Sequence, residues 1–69
     1  SKVYKVIDIV VGKKGEPFKV TITGGVILQC SDQRLFIVAK SAVQSGSDVI
    51  VNGRQDGEAL VLTDIEELG

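Results

Sequence analysis

Short runs rich in Val and Ile recur along the whole chain, each cut off by glycines or by a small polar cluster. The runs are KVYKVIDIVV, FKVTIT, VILQC, LFIVAK, DVIV and EALVLT, and the cuts fall at GKKGEP, GG, SDQR, SAVQSGS and NGRQDG. Branching at the β-carbon restricts χ1 and suits the pleated backbone, so runs of this length and composition read as strands. The pattern predicts an all-β protein: one small domain over residues 1–69, folded as a barrel or a strongly bent antiparallel sheet of five or six short strands.

The run FKVTIT alternates well enough to specify a register. Phe18, Val20 and Ile22 point one way while Lys19, Thr21 and Thr23 point the other, and Gly24-Gly25 turns the chain into Val26–Cys30. A two-residue loop would set Gln29 among the core residues. A three-residue loop, Thr23-Gly24-Gly25 with Gly25 left-handed, pairs Ile22 with Val26, Val20 with Leu28 and Phe18 with Cys30, and leaves Lys19 opposite Gln29. That register sets Phe18, Val20, Ile22, Val26, Leu28 and Cys30 on one face, and a slip of one residue would turn a whole apolar set to water.

Two other runs do not alternate. Residues 2–11 are largely apolar at both odd and even positions, and LFIVAK, residues 35–40, has Leu35, Ile37 and Ala39 on one face with Phe36 and Val38 on the other. Both read as strands covered on two sides, which places a subunit contact at Val3, Val6, Ile9, Val10, Phe36 and Val38. SAVQSGSD reads as a loop or a short helical turn. Val49–Val51 and Ala59–Leu62 form a hairpin around Asn52–Gly57. Thr63 and Glu66 have capping-box spacing, so Asp64 to Leu68 is expected to form one helical turn at the C-terminus.

Size adds to the case for self-association. A domain of 69 residues is in the range, below about 70–80, where one core rarely supplies more than ~3–5 kcal/mol without a staple. Cys30 is the single cysteine and there is no histidine, so neither an internal disulfide nor a common metal site is available, and no cofactor is implied. Mean hydropathy is nevertheless positive. The expected partner is a second copy of the chain, with another protein or a nucleic acid as further partners. No apolar stretch reaches the length needed to cross a bilayer, so no membrane association is expected, and one unpaired thiol suits a cytoplasmic location.

Charge is unevenly divided. Lys2, Lys5, Lys13, Lys14 and Lys19 face only Asp8 and Glu16 in residues 1–30, whereas the remainder is acidic. Lys13 and Lys14 at a turn, with Lys2, Lys5 and Lys19 on neighbouring strands and Tyr4 nearby, form a candidate surface for single-stranded RNA or DNA or another anion. Catalysis is not expected. Serine and cysteine lack their commonest general base, Cys30 falls on the apolar face of its strand, and the adjacent Glu66 and Glu67 point apart. The glycines of GKKG and NGRQDG serve turns, because the Ser or Thr and the helix of a phosphate loop are missing.

The segment PFKVTITGGVILQC resembles the paired-strand segment of Sm-like RNA-binding proteins, where an alternating strand meets a glycine turn and a second apolar strand. It covers about a fifth of the chain. Cys30 stands where that family tends to carry a glycine, SDQR is short, no leading helix precedes the run, and only Asn52-Gly53 approximates the second family motif. No binding residue is carried over from it.

Overall fold

A computed structural model describes residues 2–69. The elements are β1 (Tyr4–Val10), β2 (Phe18–Ile22), β3 (Val26–Cys30), α1 (Gln33–Ser45), β4 (Asp48–Asp56) and β5 (Ala59–Leu68). The strands close a barrel in the order β1-β2-β3-β5-β4, with β1 against β4 and with β3 parallel to β5 at Gln29 and Val61. Three consecutive antiparallel strands followed by a fourth that returns beside the first make a Greek key. The all-β barrel is therefore as the strand rhythm predicts, with five strands.

The β2–β3 hairpin has the expected register throughout, from Phe18 opposite Cys30 to Ile22 opposite Val26. Gly25 is left-handed at φ +81°, and its N–H donates to the Ile22 carbonyl at 3.1 Å. In the β1–β2 loop, Glu16 N–H donates to Lys13 O at 2.9 Å and Gly15 has φ +91°, the signature of a type II turn with glycine at its third position.

Residues 35–40 are helical, which corrects the reading of LFIVAK as a strand. Leu35, Val38, Ala39, Ala42 and Val43 recur at helical spacing and all pack against the core, with Ala39 and Ala42 completely buried. A run of five apolar residues, Leu35 to Ala39, fits either period, and here the 3.6-residue stripe continues through what looked like a loop. The ends are well capped. Asp32 accepts from Arg34 N–H at 2.9 Å, and Gly46, left-handed at φ +73°, donates to the Ala42 carbonyl at 2.9 Å; both satisfy groups that a helix end leaves orphaned. Phe36 stacks on Phe18 with ring centroids 4.0 Å apart.

The C-terminal helical turn is also corrected. Residues 64–68 belong to β5 and pair with β4 from Asn52 to Asp48, so a local capping preference yields to a long ladder of sheet hydrogen bonds. The β4–β5 loop is shorter than expected: Asp56 pairs with Ala59 across Gly57-Glu58, with Gly57 at φ +62°, as a two-residue hairpin with a leading glycine requires. Asn52 pairs with Asp64 and Gly53 with Leu62, so Thr63 is the extra residue of a bulge in β5.

A second bulge explains the first run. Val6 pairs with Ile22, but the next pair is Asp8 with Thr21, so Ile7 is the extra residue. Inward parity then changes: Val6 is buried on one side of the bulge and Ile9 packs against the core on the other. The run lacks alternation because its register shifts, and double coverage is not needed to explain it. Lys5, before the bulge, donates to the Gly46 carbonyl at 2.8 Å and to Asp48 at 2.7 Å, placing a cation at the helix C-terminus where the dipole favours one.

Candidate functional site

Two rows of outward-facing residues cross the sheet. Asp8, Thr21 and Ile27 are direct partners across β1, β2 and β3. One step along, Val10 pairs with Lys19 and Lys19 with Gln29; Gln29 then pairs with Val61 of β5, and Val61 with Arg54 of β4. Between these rows lie the buried positions Val20 and Leu28, so sheet alternation turns the partnered residues outward. Lys19 and Arg54 are separated by three strand spacings, about 14 Å of sheet.

The surface is unusually apolar at its centre. Ile7 is 54% exposed, Val10 50% and Ile27 53%, with Val11 and Val26 exposed beside them. Ile7 was left outside the register by the bulge, and Ile27 stands opposite Thr21. The residues expected at a subunit contact are distributed differently. Val3 and Val10 lie on the surface, Val6 is in the core, Ile9 packs on the core, Phe36 stacks on Phe18, and Val38 packs beneath the helix. Ile7 and Ile27 were missed; the hairpin register already placed Ile27 outward, and only the bulge could place Ile7 there.

The lysines separate into two groups. Lys13 and Lys14 are exposed in the β1–β2 loop and Lys19 is exposed at the same end of β1. Lys2 lies over the Tyr4 ring, 5.8 Å from its centroid, and Lys5 is committed to Asp48 and Gly46. Tyr4 and Val10 bound a strand of seven residues, so these groups are about 20 Å apart along it. Tyr4 packs partly against the core and Phe18 is covered by Phe36. Aromatic rings thus stand away from the β2–β3 face.

Cys30 is fully buried, with its Sγ 3.3 Å from the Asp32 carbonyl, to which it donates. Burial pushes its thiol above the ordinary cysteine value, which keeps the sulfur protonated and weakly nucleophilic. Asp32, by contrast, is held below the usual carboxylate range by the Arg34 side chain. Glu67 is also lowered, because the Ser45 and Ser41 hydroxyls donate to its two oxygens at 2.8 and 2.9 Å. This group fastens α1 to β5. Among the described residues no cluster of three metal-ligating side chains occurs, and no helix is long and apolar enough to cross a membrane.

No known family model matches the chain, and neither a curated protein nor a solved structure matches it.

Proposed function

We propose that this protein is a non-catalytic binding or assembly module that works as a homo-oligomer, through the outer face of β1–β2–β3. The observation that carries the reading is the set of Ile7, Val10 and Ile27, each about half exposed, on β1 and β3 to either side of β2. These side chains contribute little to the barrel's own core. Covering their exposed halves is worth on the order of 1 kcal/mol each, a large gain for a domain of this size. The cytoplasm suits the free, protonated thiol of Cys30.

The test is molar mass by light scattering across a dilution series from high to low micromolar concentration. A mass that falls with dilution supports the reading; a strict monomer throughout overturns it.

A second reading is favoured by a different observation. A five-stranded Greek-key barrel is the architecture of the OB-fold, whose β2–β3 face and β1–β2 and β4–β5 loops hold oligonucleotides or oligosaccharides. Here Lys13 and Lys14 occupy the first of those loops, Lys19 and Gln29 the face, and Arg54 the strand leading to the second loop. Backbone phosphates could follow this line, and affinity would fall steeply with salt. The architecture gives only an analogy to function, and the half-buried aromatics leave the face without a stacking platform. Binding of a labelled single strand at two salt concentrations, with Lys13→Glu/Lys14→Glu as the control, decides it. Salt-insensitive binding, or none, removes this reading.

A further inference from the structure

The outward face carries more than apolar surface, because its two charges are arranged so that a second copy can satisfy both. Asp8 sits beside Thr21, and Lys19 sits beside Val10. The four residues form a rectangle on the outer face, with Asp8 and Lys19 at opposite corners, about 7–8 Å apart. Among the described residues neither takes part in an ion pair; the two pairs present are Lys5 with Asp48 and Arg34 with Asp32.

Two such faces can pack against each other about a two-fold axis lying in the plane of contact. An axis drawn at right angles to the Asp8–Lys19 diagonal exchanges those two positions. It carries each Asp8 over the partner's Lys19, and each Lys19 over the partner's Asp8. With strands about 4.8 Å apart and successive same-face residues about 6.7 Å apart, that axis runs close to Val10, Thr21 and Ile27. Each of these then meets its own copy. The apolar residues fall along the axis at the centre of the contact, and the two charge pairs flank it, as in an interface with a dry core and a polar rim.

We infer that the outer face of β1–β2–β3 is an isologous dimer interface with a second copy of this chain, in which Asp8 opposes the partner's Lys19 and Val10 and Ile27 pack on themselves. This rests on the homo-oligomer reading and adds the symmetry and the pairing. The contact is closed, because each face is used up by one partner. Charge complementarity selects a copy of this chain as the occupant: the exchanging diagonal carries one charge of each sign.

Charge exchange tests the pairing. Asp8→Lys alone sets lysine against lysine across the axis, and Lys19→Asp alone sets aspartate against aspartate. Each variant by itself is expected to be a monomer at concentrations where the unmodified protein is dimeric, with a dissociation constant raised by more than about tenfold. An equal mixture of the two variants is expected to recover the dimer mass, since both pairs become complementary again. Far-UV circular dichroism establishes that each variant is folded.

If both single variants dimerise as the unmodified protein does, or if the mixture of folded variants stays monomeric, the inference falls while the homo-oligomer reading stands. If the unmodified protein is a monomer throughout dilution, both fall. A monomer that instead binds a labelled single strand through Lys19 and Arg54 assigns the face to nucleic acid and also overturns the inference. Should either charge variant fail to fold, Ile27→Cys decides: the introduced thiol lies near the axis, and mild oxidation is expected to give a covalent dimer on a non-reducing gel. Its absence under conditions where scattering shows the dimer overturns the proposed face.

Discussion

Gly53 and Leu28 approach so closely that a β-carbon added at position 53 would stand 3.0 Å from Leu28 Cδ2, and equally close to the Val61 carbonyl oxygen. Leu28 is buried, and the carbonyl belongs to the backbone of β5, so neither neighbour can yield cheaply. Gly53 lies opposite the β5 bulge at Thr63, and the absence of a side chain there is what makes the close approach possible. Gly53→Ala is expected to destabilise the fold by about 1–3 kcal/mol, in the range of an overpacked core. Urea denaturation measures it; an unchanged midpoint would contradict the close packing.

The caps of α1 give a second pair of expectations. Asp32→Ala removes the acceptor for Arg34 N–H and should cost about 0.5–2 kcal/mol. Gly46→Ala forces a β-carbon into a left-handed position at φ +73°, at a cost of roughly 1–2 kcal/mol. In both variants the loss should appear in thermal denaturation. A control such as Lys14→Ala, in an exposed loop, should change stability by less than about 0.5 kcal/mol.

Acid stability follows from Glu67 and Asp32. Both carboxyls are held below their ordinary values in the folded protein, Glu67 chiefly by the Ser45 hydroxyl and Asp32 chiefly by the Arg34 side chain. The unfolded chain therefore binds more protons over the range between the two values, and stability rises with pH there. The contribution is fully present above the ordinary carboxylate pKa and is lost as pH falls through the lowered one. Glu67→Gln should flatten the acid limb of a stability-against-pH curve and leave stability near neutral pH somewhat reduced; an unaltered acid limb would rule out the Ser41–Glu67–Ser45 fastening as its source.

Cys30 should be unreactive in the native state. Its sulfur is fully buried, its thiol pKa is raised by that burial, and it donates to the Asp32 carbonyl. An aromatic disulfide reagent is expected to label it only as fast as the barrel opens, so labelling should accelerate sharply through the denaturation midpoint. Rapid labelling in native buffer would be inconsistent with this packing.

The Lys5–Asp48 pair should matter little by itself. Both side chains are about half exposed, and such pairs contribute roughly 0–1 kcal/mol and weaken with salt. Asp48→Asn should lower the melting temperature slightly at low salt, and the difference should shrink as salt rises.

Much of the fold was legible where the local pattern admits one answer. Phe18, Val20 and Ile22 alternate strictly and meet a glycine pair, so the β2–β3 register and the left-handed Gly25 follow without knowledge of the rest of the chain. Lys19 opposite Gln29 came with that register. Of the surface proposed for binding, Lys13, Lys14, Lys19 and Val10 were visible, whereas Ile7 and Ile27 were not singled out.

Neighbouring residues alone were enough for the β-rich character, the turns at Gly15 and at Gly24-Gly25, and the one well-alternating hairpin. Tertiary structure decided what depends on distant partners. LFIVAK satisfies both periods, and it became a helix because Ala39 and Ala42 seat against the core while residues 41–45 continue the stripe. Thr63 to Glu66 has a helix start signal, and it became a strand because β4 offered a ladder along its length. The direction of Ile7 hung on a single extra residue in β1, set by where Val6 and Asp8 find partners in β2. A bulge has no local signature in a run of β-branched residues, and it is the bulge that turned an apolar side chain outward onto the proposed interface.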